Sequence, residues 1–377
     1  MIRTSLKQLL LAITVAAVTA VGPTTADACT AITLKAKDGA VLSGRTMEWG
    51  TFDLHGRIVV IPRGHSFTGQ TPDGKPGLKW QAKYGVVGID MLEREMLSDG
   101  MNEKGLVAAL LYHPGFAGYR PYDPAKASES IAPTDVMQYL LTTCATLAEV
   151  RAALEKTRVV AVVEPALGFP APVHFIVTEP SGKQIVVEFL KGETTIYDAP
   201  LGVLTNAPTY DWHLTNLRNY VNLSPVSLPG KEIADLNFKP LGAGSGMIGL
   251  PGDFTPPSRF IRAVAFTATA RPTEDGAETM YEMFRILDNF NVPLGAGEGA
   301  SPTEQKLKDK MRSSTIWTVV NDTKNKVIYY HTQHNRRVRQ VNVGAIDFGT
   351  LKDGITTLPL DKEKAQDIEV VNPLDKK

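Results

Sequence analysis

Cys29 is the residue of this sequence with the clearest chemical potential. It is one of two cysteines among 377 residues, and it directly follows Ala-Asp-Ala, residues 26 to 28. This triplet is the small-x-small pattern that signal peptidase cuts, so cleavage after Ala28 would leave Cys29 with a free α-amino group. A thiol and an amine on one residue form a nucleophile and a base, which makes Cys29 a candidate N-terminal nucleophile.

Two other roles for Cys29 stay open. Lipidation is disfavoured, because a lipoprotein signal usually has Leu three residues before the cysteine and a small uncharged residue two before it, whereas this chain has Ala26 and Asp27. A disulfide with Cys144 suits an exported protein, although one bridge in a chain this long is not a disulfide framework. Cys144 lies at an apolar, helix-like position, where a buried and inert thiol is usual.

Three further stretches contain residues that suit the chemistry of a cysteine nucleophile: SGRTMEWG (43–50), LTNAPTYDWHLTNLRNY (204–220) and GLPGDFTPPSRFIR (249–262). Arg45 is a permanent cation that would favour a thiolate. Glu48 would accept a hydrogen bond from the ammonium group and fix its direction. Asn206 offers an amide N–H that suits an oxyanion, and Arg259 would balance the charge of the site. Taken alone, each residue also fits a surface ion pair, a turn or a solvated arginine.

Together with Cys29, and in this order along the chain, these stretches resemble the choloylglycine hydrolase family of conjugated bile acid hydrolases and penicillin V acylases, which are N-terminal nucleophile hydrolases. The resemblance covers nearly the whole chain after residue 28. It implies an α+β fold, a four-layer αββα sandwich of two antiparallel sheets between helix layers, and assembly into a homotetramer. It also implies the catalytic residues, which are Cys29, Arg45, Glu48, Asn206 and Arg259.

Two positions depart from the commonest pattern of the family. The acid is usually Asp, and Glu48 is one methylene longer. Bile acid hydrolases carry Asn where this chain has Tyr112 in the stretch LLYHP, and Tyr at this position resembles penicillin V acylases. The resemblance assigns the second oxyanion donor to the backbone N–H of Tyr112. Arg262, three residues after Arg259, is not the motif residue and is predicted to be structural.

The resemblance implies an amide substrate that joins a bulky apolar acyl group to a small polar amine. Penicillin V, glycine- or taurine-conjugated bile acids and N-acyl homoserine lactones are the candidates. Aromatic and apolar side chains suit such acyl groups, and the predicted pocket residues are Met47, Trp49, Trp80, Tyr84 and Tyr112. Tyr112 and the export signal favour a penicillin V acylase over a bile salt hydrolase. The alternative from another class is an exported, non-catalytic lipoprotein or binding protein.

The composition and the first residues indicate an exported protein with one large domain. Arg3 and Lys7 precede an apolar run at 9–21, which is too short to span a bilayer and suits the core of a signal peptide. We therefore predict a signal peptide at 1–28, a periplasmic or secreted location, and one domain at 29–377 whose last ten or so residues form a loose tail. Forty basic and forty acidic residues balance, which argues against nucleic acid as a partner, and no later apolar run provides a stable membrane anchor.

Local sequence patterns predict the hairpins and helices that must position these residues. Hairpins are predicted at 30–48 with a turn at Asp38-Gly39, at 173–190 with a turn at 180–182, and at 314–333 with a turn around Asn321-Asp322. Helices are predicted at 132–144, 145–157 and 278–290, the last with a core-facing stripe of Met280, Met283, Phe284 and Leu287. Antiparallel hairpins separated by helices favour a layered α+β domain.

Two patterns that suggest a cofactor or a metal do not hold. Gly244-x-Gly246-x-x-Gly249 matches a dinucleotide fingerprint, but Pro251-Gly252 follows where that motif needs a helix. His213, His331 and His334 lack the neighbours of a zinc site and are predicted to be surface or strand-packing residues. We expect no cofactor and no metal, and a small acyl amide as the only ligand.

Overall fold

The computed structural model describes residues 29–297, 308–352 and 354–371. The predicted signal peptide at 1–28 and most of the predicted C-terminal tail lie outside the described residues. No helix of the described residues has the length and apolar character needed to cross a bilayer.

The described residues form strands that are mostly short, with a few of six to eight residues. In chain order they are β1 Thr30–Lys35, β2 Val41–Glu48, β3 Arg57–Ile61, β4 Ser66–Thr68, β5 Lys79–Gln81, β6 Val86–Met91, β7 Met96–Asn102, β8 Val107–Tyr112, β9 Ser130–Ile131, β10 Arg158–Val159, β11 Val163–Glu164, β12 Phe169–Pro170, β13 Val173–Thr178, β14 Gln184–Leu190, β15 Glu193–Asp198, β16 Lys231–Ile233, β17 Leu236–Phe238, β18 Thr315–Asp322, β19 Val327–Thr332, β20 Arg339–Asn342 and β21 Thr356–Pro359.

The helices are fewer than the strands. The α-helices are α1 Val136–Thr143, α2 Leu147–Lys156, α3 Tyr210–Leu217, α4 Pro256–Thr269 and α5 Gly276–Leu287. Short 3-10 helices occupy Pro124–Glu129, Pro133–Asp135, Arg218–Tyr220, Ser245–Met247, Asp288–Phe290 and Val343–Ala345.

Two antiparallel sheets form the centre of the molecule. One has the strand order β1-β2-β18-β19-β20, and the other has the order β15-β14-β13-β8-β7-β6-β3-β21. Helices α4 and α5 pack on the five-stranded sheet, and α1 and α2 pack on the eight-stranded sheet. The predicted four-layer αββα sandwich is therefore confirmed.

The apolar core has two parts. One lies around the five-stranded sheet and includes Ile32, Trp317 and Phe260, while the other lies between the eight-stranded sheet and α1 and α2 and includes Met137 and Phe175. Strand β2 is buried along its whole length, because a helix covers one face and the second sheet covers the other. Alternate β2 residues therefore face two different layers.

Gly44 is needed at the point where α5 approaches β2. A Cβ at this position would lie 2.9 Å from Cε of Met283 and 2.9 Å from the carbonyl oxygen of Val319, closer than real Cβ contacts come. Glycine therefore lets α5 pack tightly on β2, the strand that carries Arg45 and Glu48.

Most of the predicted elements are present. The hairpin of β1 and β2 turns at Gly39, whose φ is 86°, and the hairpin of β13 and β14 turns at Gly182, whose φ is 89°. Helix α2 begins after Thr146, whose hydroxyl accepts the backbone N–H of Glu149. The apolar stripe of α5 is buried as predicted.

The turn predicted at Asn321-Asp322 is wrong. Both residues still belong to β18, where they pair with Ile328 and Val327, and the turn comes after them. Oδ1 of Asp322 accepts the backbone N–H groups of Lys324 and Asn325, at 3.1 and 2.9 Å. Asp322 therefore caps the start of the turn and does not occupy its centre.

Candidate active site

Cys29 lies at the start of β1 and is buried, with 3% of its surface exposed. Its sulfur accepts a hydrogen bond from Nη2 of Arg45 at 2.9 Å. Cys29 and Cys144 do not form a disulfide with each other, and they lie in different parts of the core. The disulfide that the sequence left open is therefore absent, and the thiol of Cys29 is available for chemistry.

Arg45 is held in place by the strands that face it. Its Nη1 donates to the carbonyl oxygens of Ser98 in β7, at 3.1 Å, and of Leu110 in β8. The ladder between β7 and β8 ends at the pair Asp99 and Ala109, so the guanidinium occupies the gap where the two strands separate. A fixed cation at hydrogen-bonding distance from the sulfur stabilises a thiolate.

Glu48 lies on the other face of β2 and is fully buried. Its carboxyl group accepts hydrogen bonds from the hydroxyls of Thr46, at 3.0 Å, and Thr315, at 2.8 Å. Burial raises its pKa to about 7, although the positive charge of Arg259 opposes the shift. The β1–β2 register pairs Thr30 with Thr46, which places Cys29 opposite Met47. Glu48 is the next residue along β2, so it lies just beyond the α-amine of a chain that begins at Cys29.

Arg259 connects the backbone of Cys29 to Asn206. Pro256 is the first residue of α4, and Arg259 lies in its first turn, fully buried. The guanidinium donates to the carbonyl oxygen of Cys29, to Oγ1 of Thr30 at 2.9 Å and to Oδ1 of Asn206 at 2.7 Å. Because a guanidinium only donates, this contact fixes which end of the Asn206 amide carries the N–H groups.

The N–H groups of Asn206 point towards Tyr112. Nδ2 donates to the carbonyl oxygen of Tyr112 at 2.8 Å, and its second N–H makes no hydrogen bond with the described residues. The backbone N–H of His113 donates to the carbonyl oxygen of Pro172, just before β13. Successive backbone N–H groups of a strand point in opposite directions, so the backbone N–H of Tyr112 faces away from β13. Asn206 and the backbone of Tyr112 are therefore brought together at one edge of β8.

Arg262 contacts the loop before α4. Its Nη1 donates to the carbonyl oxygens of Pro251, at 2.8 Å, and Asp253, at 2.6 Å, and its guanidinium lies 5.4 Å from the ring centre of Phe290. Burial lowers its pKa. These contacts fix the loop that begins α4 and so help to place Arg259.

An apolar cavity of about 580 Å³, including the solvent at its mouth, opens beside Cys29. Met47, Trp49 and Tyr112 line it, as the sequence predicted. Trp49 meets Tyr112 edge to face, with ring centres 5.6 Å apart. Besides the hydroxyl of Tyr112 and the thiol of Cys29, the polar groups of its lining belong to Glu48, Thr134 and Glu164.

Trp80 and Tyr84 do not line this cavity, and their prediction as pocket residues is corrected. Trp80 packs on the α1 side of the eight-stranded sheet, where it stacks on Phe67 at 5.0 Å and meets Tyr139 at 5.4 Å. Tyr84 lies under the ammonium group of Lys83, 4.8 Å from its ring centre. Both aromatic residues lie on the face of the eight-stranded sheet that α1 covers, whereas the cavity lies beside Cys29 on the other face.

Other lining residues were not predicted from the sequence. Phe52 and Leu54 come from the loop after β2, Leu92 from the turn between β6 and β7, and Leu167 from the turn between β11 and β12. Phe52 had a signal, because it is an aromatic residue in the same loop as Trp49. The three others are ordinary leucines, and only the packing of the chain brings them to Cys29.

A second buried cluster, His113, His174 and Glu188, has the residue types of a metal site. One ligand atom from each lies within 4.8 Å of the others. The Nε2 atoms of both histidines, however, face backbone carbonyl oxygens, so these nitrogens carry hydrogen and offer no lone pair. The lone pair of each neutral ring therefore lies on Nδ1, and Nδ1 of His174 faces Oε1 of Glu188 at 3.3 Å.

Comparisons with known proteins agree with this geometry. Residues 29–356 match the model of the family "Linear amide C-N hydrolases, choloylglycine hydrolase family". The chain is 32% identical over 318 residues to a bile salt hydrolase/transferase of Clostridium perfringens, a match that covers 84% of this chain and 92% of that protein.

Two solved structures have the same fold over most of their length. A variant of the conjugated bile acid hydrolase from Clostridium perfringens superposes with a TM-score of 0.77 at 29% identity, over 91% of this chain and 100% of that one. Penicillin V acylase from Agrobacterium tumefaciens superposes with a TM-score of 0.70 at 25% identity, over 88% and 92%. The chain therefore belongs to the choloylglycine hydrolase family and is a hydrolase of linear amide C–N bonds.

Proposed function

We propose that this hydrolase acts on amides of a flat or flexible apolar acyl group, with the phenoxyacetyl amide of penicillin V as its best substrate. The observation that carries this proposal is the pair Trp49 and Tyr112 at the cavity wall beside Cys29. Perpendicular aromatic rings present one face and one edge to a bound ring, which suits a phenoxy group.

The proposed reaction uses the N-terminal amine as its base. The α-amine of a mature Cys29 accepts the proton of the thiol, and the thiolate attacks the acyl carbon. Asn206 and the N–H of Tyr112 stabilise the oxyanion. The C–N bond then breaks, the ammonium returns its proton to the leaving amine, and water hydrolyses the thioester with the same amine as base.

Conjugated bile acids are the second candidate class. They are favoured by the relatives from Clostridium perfringens and Bifidobacterium longum, both bile salt hydrolase/transferases, which are 32% and 29% identical to this chain. Against them stands the largely apolar lining of the cavity, because the hydroxyl groups of a bile acid need polar partners, and besides Glu48 the lining supplies only the side chains of Tyr112, Thr134 and Glu164 as acceptors. Long-chain N-acyl homoserine lactones fit the same apolar lining.

A substrate panel separates these classes. The purified protein, beginning at Cys29, is assayed on penicillin V, glycocholate, taurocholate and a long-chain N-acyl homoserine lactone. The proposal predicts the highest kcat/KM for penicillin V. A higher kcat/KM for either bile salt would contradict this proposal and identify the enzyme as a bile salt hydrolase.

We also propose that the protein is exported and cleaved after Ala28. The family match begins at residue 29, which agrees with the small-x-small pattern at 26–28. Mass spectrometry of the N-terminus tests this. A free Cys29 supports maturation into an enzyme, whereas a diacylglyceryl group on Cys29 would support the exported lipoprotein.

Assembly into a homotetramer is proposed as well. The hairpin of β16 and β17 exposes all its residues, including Ile233, Leu236 and Phe238, each more than half exposed. An isolated two-stranded hairpin is only marginally stable in water, and a contiguous exposed apolar patch marks an interaction surface. Contact between copies through this hairpin would bury these side chains.

A further inference from the structure

Three buried histidines converge on the backbone of one short loop, residues 205–208, which carries Asn206. Each histidine comes from a different element, namely the residue after β8, strand β13 and helix α3. The distances from Nε2 to the carbonyl oxygen are 2.8 Å for His174 and Thr205, 3.0 Å for His213 and Asn206, and 3.3 Å for His113 and Pro208. Three of the four carbonyls of this loop are therefore held by imidazoles.

The protonation state of these rings follows from their partners. A carbonyl oxygen only accepts, so each Nε2 carries the hydrogen. Burial lowers the pKa of His113 and His174 to about 3 and that of His213 to about 4. At neutral pH each imidazole is thus uncharged, and the contact with the loop fixes its tautomer.

Glu188 holds the ring of His174 from the other side. Its Oε1 lies 3.3 Å from Nδ1 of His174 and accepts the backbone N–H of Tyr210, the first residue of α3, at 2.9 Å. Burial raises the pKa of Glu188 to about 7. Because Nδ1 of a neutral His174 has only a lone pair to offer, a protonated Glu188 is the partner that completes this contact.

We propose that His113, His174 and His213, hereafter the histidine clamp, are positioning residues that hold the loop 205–208 so that the Asn206 amide meets the oxyanion. Arg259 and Tyr112 fix the Asn206 side chain, and the clamp fixes the backbone from which it projects. The inference rests on the oxyanion role given to Asn206 in the proposed function. Donors must lie about 2.7–3.1 Å from the oxyanion, so a small displacement of the loop lowers the rate.

His213→Phe is the cleanest test, because the His213 ring stacks on Phe260 at 4.7 Å and phenylalanine retains a stacking ring while it removes the N–H donor. The clamp predicts that kcat falls by about tenfold while KM changes by less than twofold. His213→Gln, whose amide N–H reaches a similar position, should recover most of the rate. The matched control is His331→Phe, a buried histidine on β19 that also contacts a phenylalanine ring, and it should leave kcat unchanged.

A double-mutant cycle shows whether the clamp acts through Asn206. In an Asn206→Ala background, His213→Phe should lower kcat no further, because the donor that the clamp positions is gone. Losses that multiply in the double variant would overturn the proposal. A normal kcat for Asn206→Ala alone would instead overturn the oxyanion assignment in the proposed function.

Amide hydrogen exchange measures how firmly the clamp holds the loop, and it needs no substrate. His213→Phe should speed amide exchange in the peptide around 203–210 and leave β18 unchanged, whatever the enzyme hydrolyses. Equal exchange of this peptide in wild type and variant would overturn the clamp. Faster exchange throughout the chain would show that His213 supports the whole fold and not this loop in particular, and it would also overturn the clamp.

Discussion

At the scale of single residues, Arg45 is a cation in direct contact with the sulfur of Cys29, the proposed nucleophile. It donates to the sulfur of Cys29 and to two strand carbonyls at once, so it cannot leave the thiol without breaking the contacts that end the β7–β8 ladder. A lysine would supply the charge but not this set of directed donors.

The identity of the nucleophile is the first prediction at this scale. Cys29→Ser should lose nearly all amidase activity, because a hydroxyl is a far poorer nucleophile under an amine base. Cys144→Ser is the matched control and should retain activity, since Cys144 lies in the separate core against α1 and α2. Steady-state rates of both variants decide the point, and an inactive Cys144→Ser would place the site elsewhere.

The second prediction concerns the oxyanion. Asn206→Ala should lower kcat by roughly 10²–10³-fold with a smaller change in KM, because the amide acts on charge that develops in the transition state. Full steady-state curves on the best substrate give both constants. A variant in which KM alone rises would identify Asn206 as a substrate-binding residue.

Tyr112 sets the third prediction. In the proposed mechanism its backbone N–H serves the oxyanion, while its ring meets Trp49 at the cavity wall. Tyr112→Asn should therefore lower the ratio of kcat/KM for penicillin V over glycocholate by about tenfold without abolishing either activity, since pocket discrimination is worth about 1–3 kcal/mol. The same ratio in wild type and variant would remove the main support for penicillin V as substrate.

At the scale of elements, the two sheets are joined across their interface by a polar contact. Nδ2 of Asn321 in β18 donates to Oδ1 of Asp99 in β7 at 2.8 Å. Burial raises the pKa of Asp99 to about 7, although the charge of Arg45 opposes the shift. The carboxyl group of Asp99 is therefore partly protonated at neutral pH inside the folded protein.

This shift has a definite sign for stability. Between about pH 4 and pH 7 the folded protein holds a proton on Asp99 that the unfolded chain has released, so this residue's contribution to stability falls as the pH rises. Asp99→Asn removes the effect. Urea unfolding measures this effect. From pH 5 to pH 8 the free energy of unfolding of the wild type should fall by on the order of 1–3 kcal/mol more than that of Asp99→Asn. An exposed aspartate outside the hairpin of β16 and β17, Asp211→Asn on α3, should show no such difference.

The elements also explain which parts of the structure follow from the sequence. Glycine turns and apolar stripes are local, so the hairpins at 30–48 and 173–190 and the stripe of α5 were predicted correctly. The turn after β18 was misplaced because Asp322 both ends a strand and caps a turn. Trp80 was misassigned because a loop aromatic gives no sign of which face of a sheet it will reach.

The candidate site shows the same limit. Cys29, Arg45, Asn206 and Arg259 were predicted from short motifs in a fixed order, and the structure brings them into direct contact. The histidine clamp was not predicted, because its members are about forty to sixty residues apart and each lies in an ordinary local pattern. Only the packing of β8, β13 and α3 around one loop brings them together.

At the scale of the whole molecule, the exposed hairpin of β16 and β17 predicts self-association. Replacing Leu236 and Phe238 by Ser should reduce the molar mass in solution from that of the proposed tetramer to that of a smaller species, because it removes the apolar contact surface. Light scattering after size exclusion measures this mass. Tyr281→Ser on α5, which is 68% exposed, is the control and should leave the mass unchanged.

In the proposed mechanism the α-amine and the thiol of Cys29 together form the catalytic pair. Two proteins separate this mechanism from any other: one begins at Cys29, and the other carries one additional residue before Cys29 which cannot be removed, both verified by intact mass. We expect turnover by the first and loss of nearly all turnover by the second, because an acylated nitrogen is no longer a base. Equal turnover by the two proteins would contradict an N-terminal nucleophile.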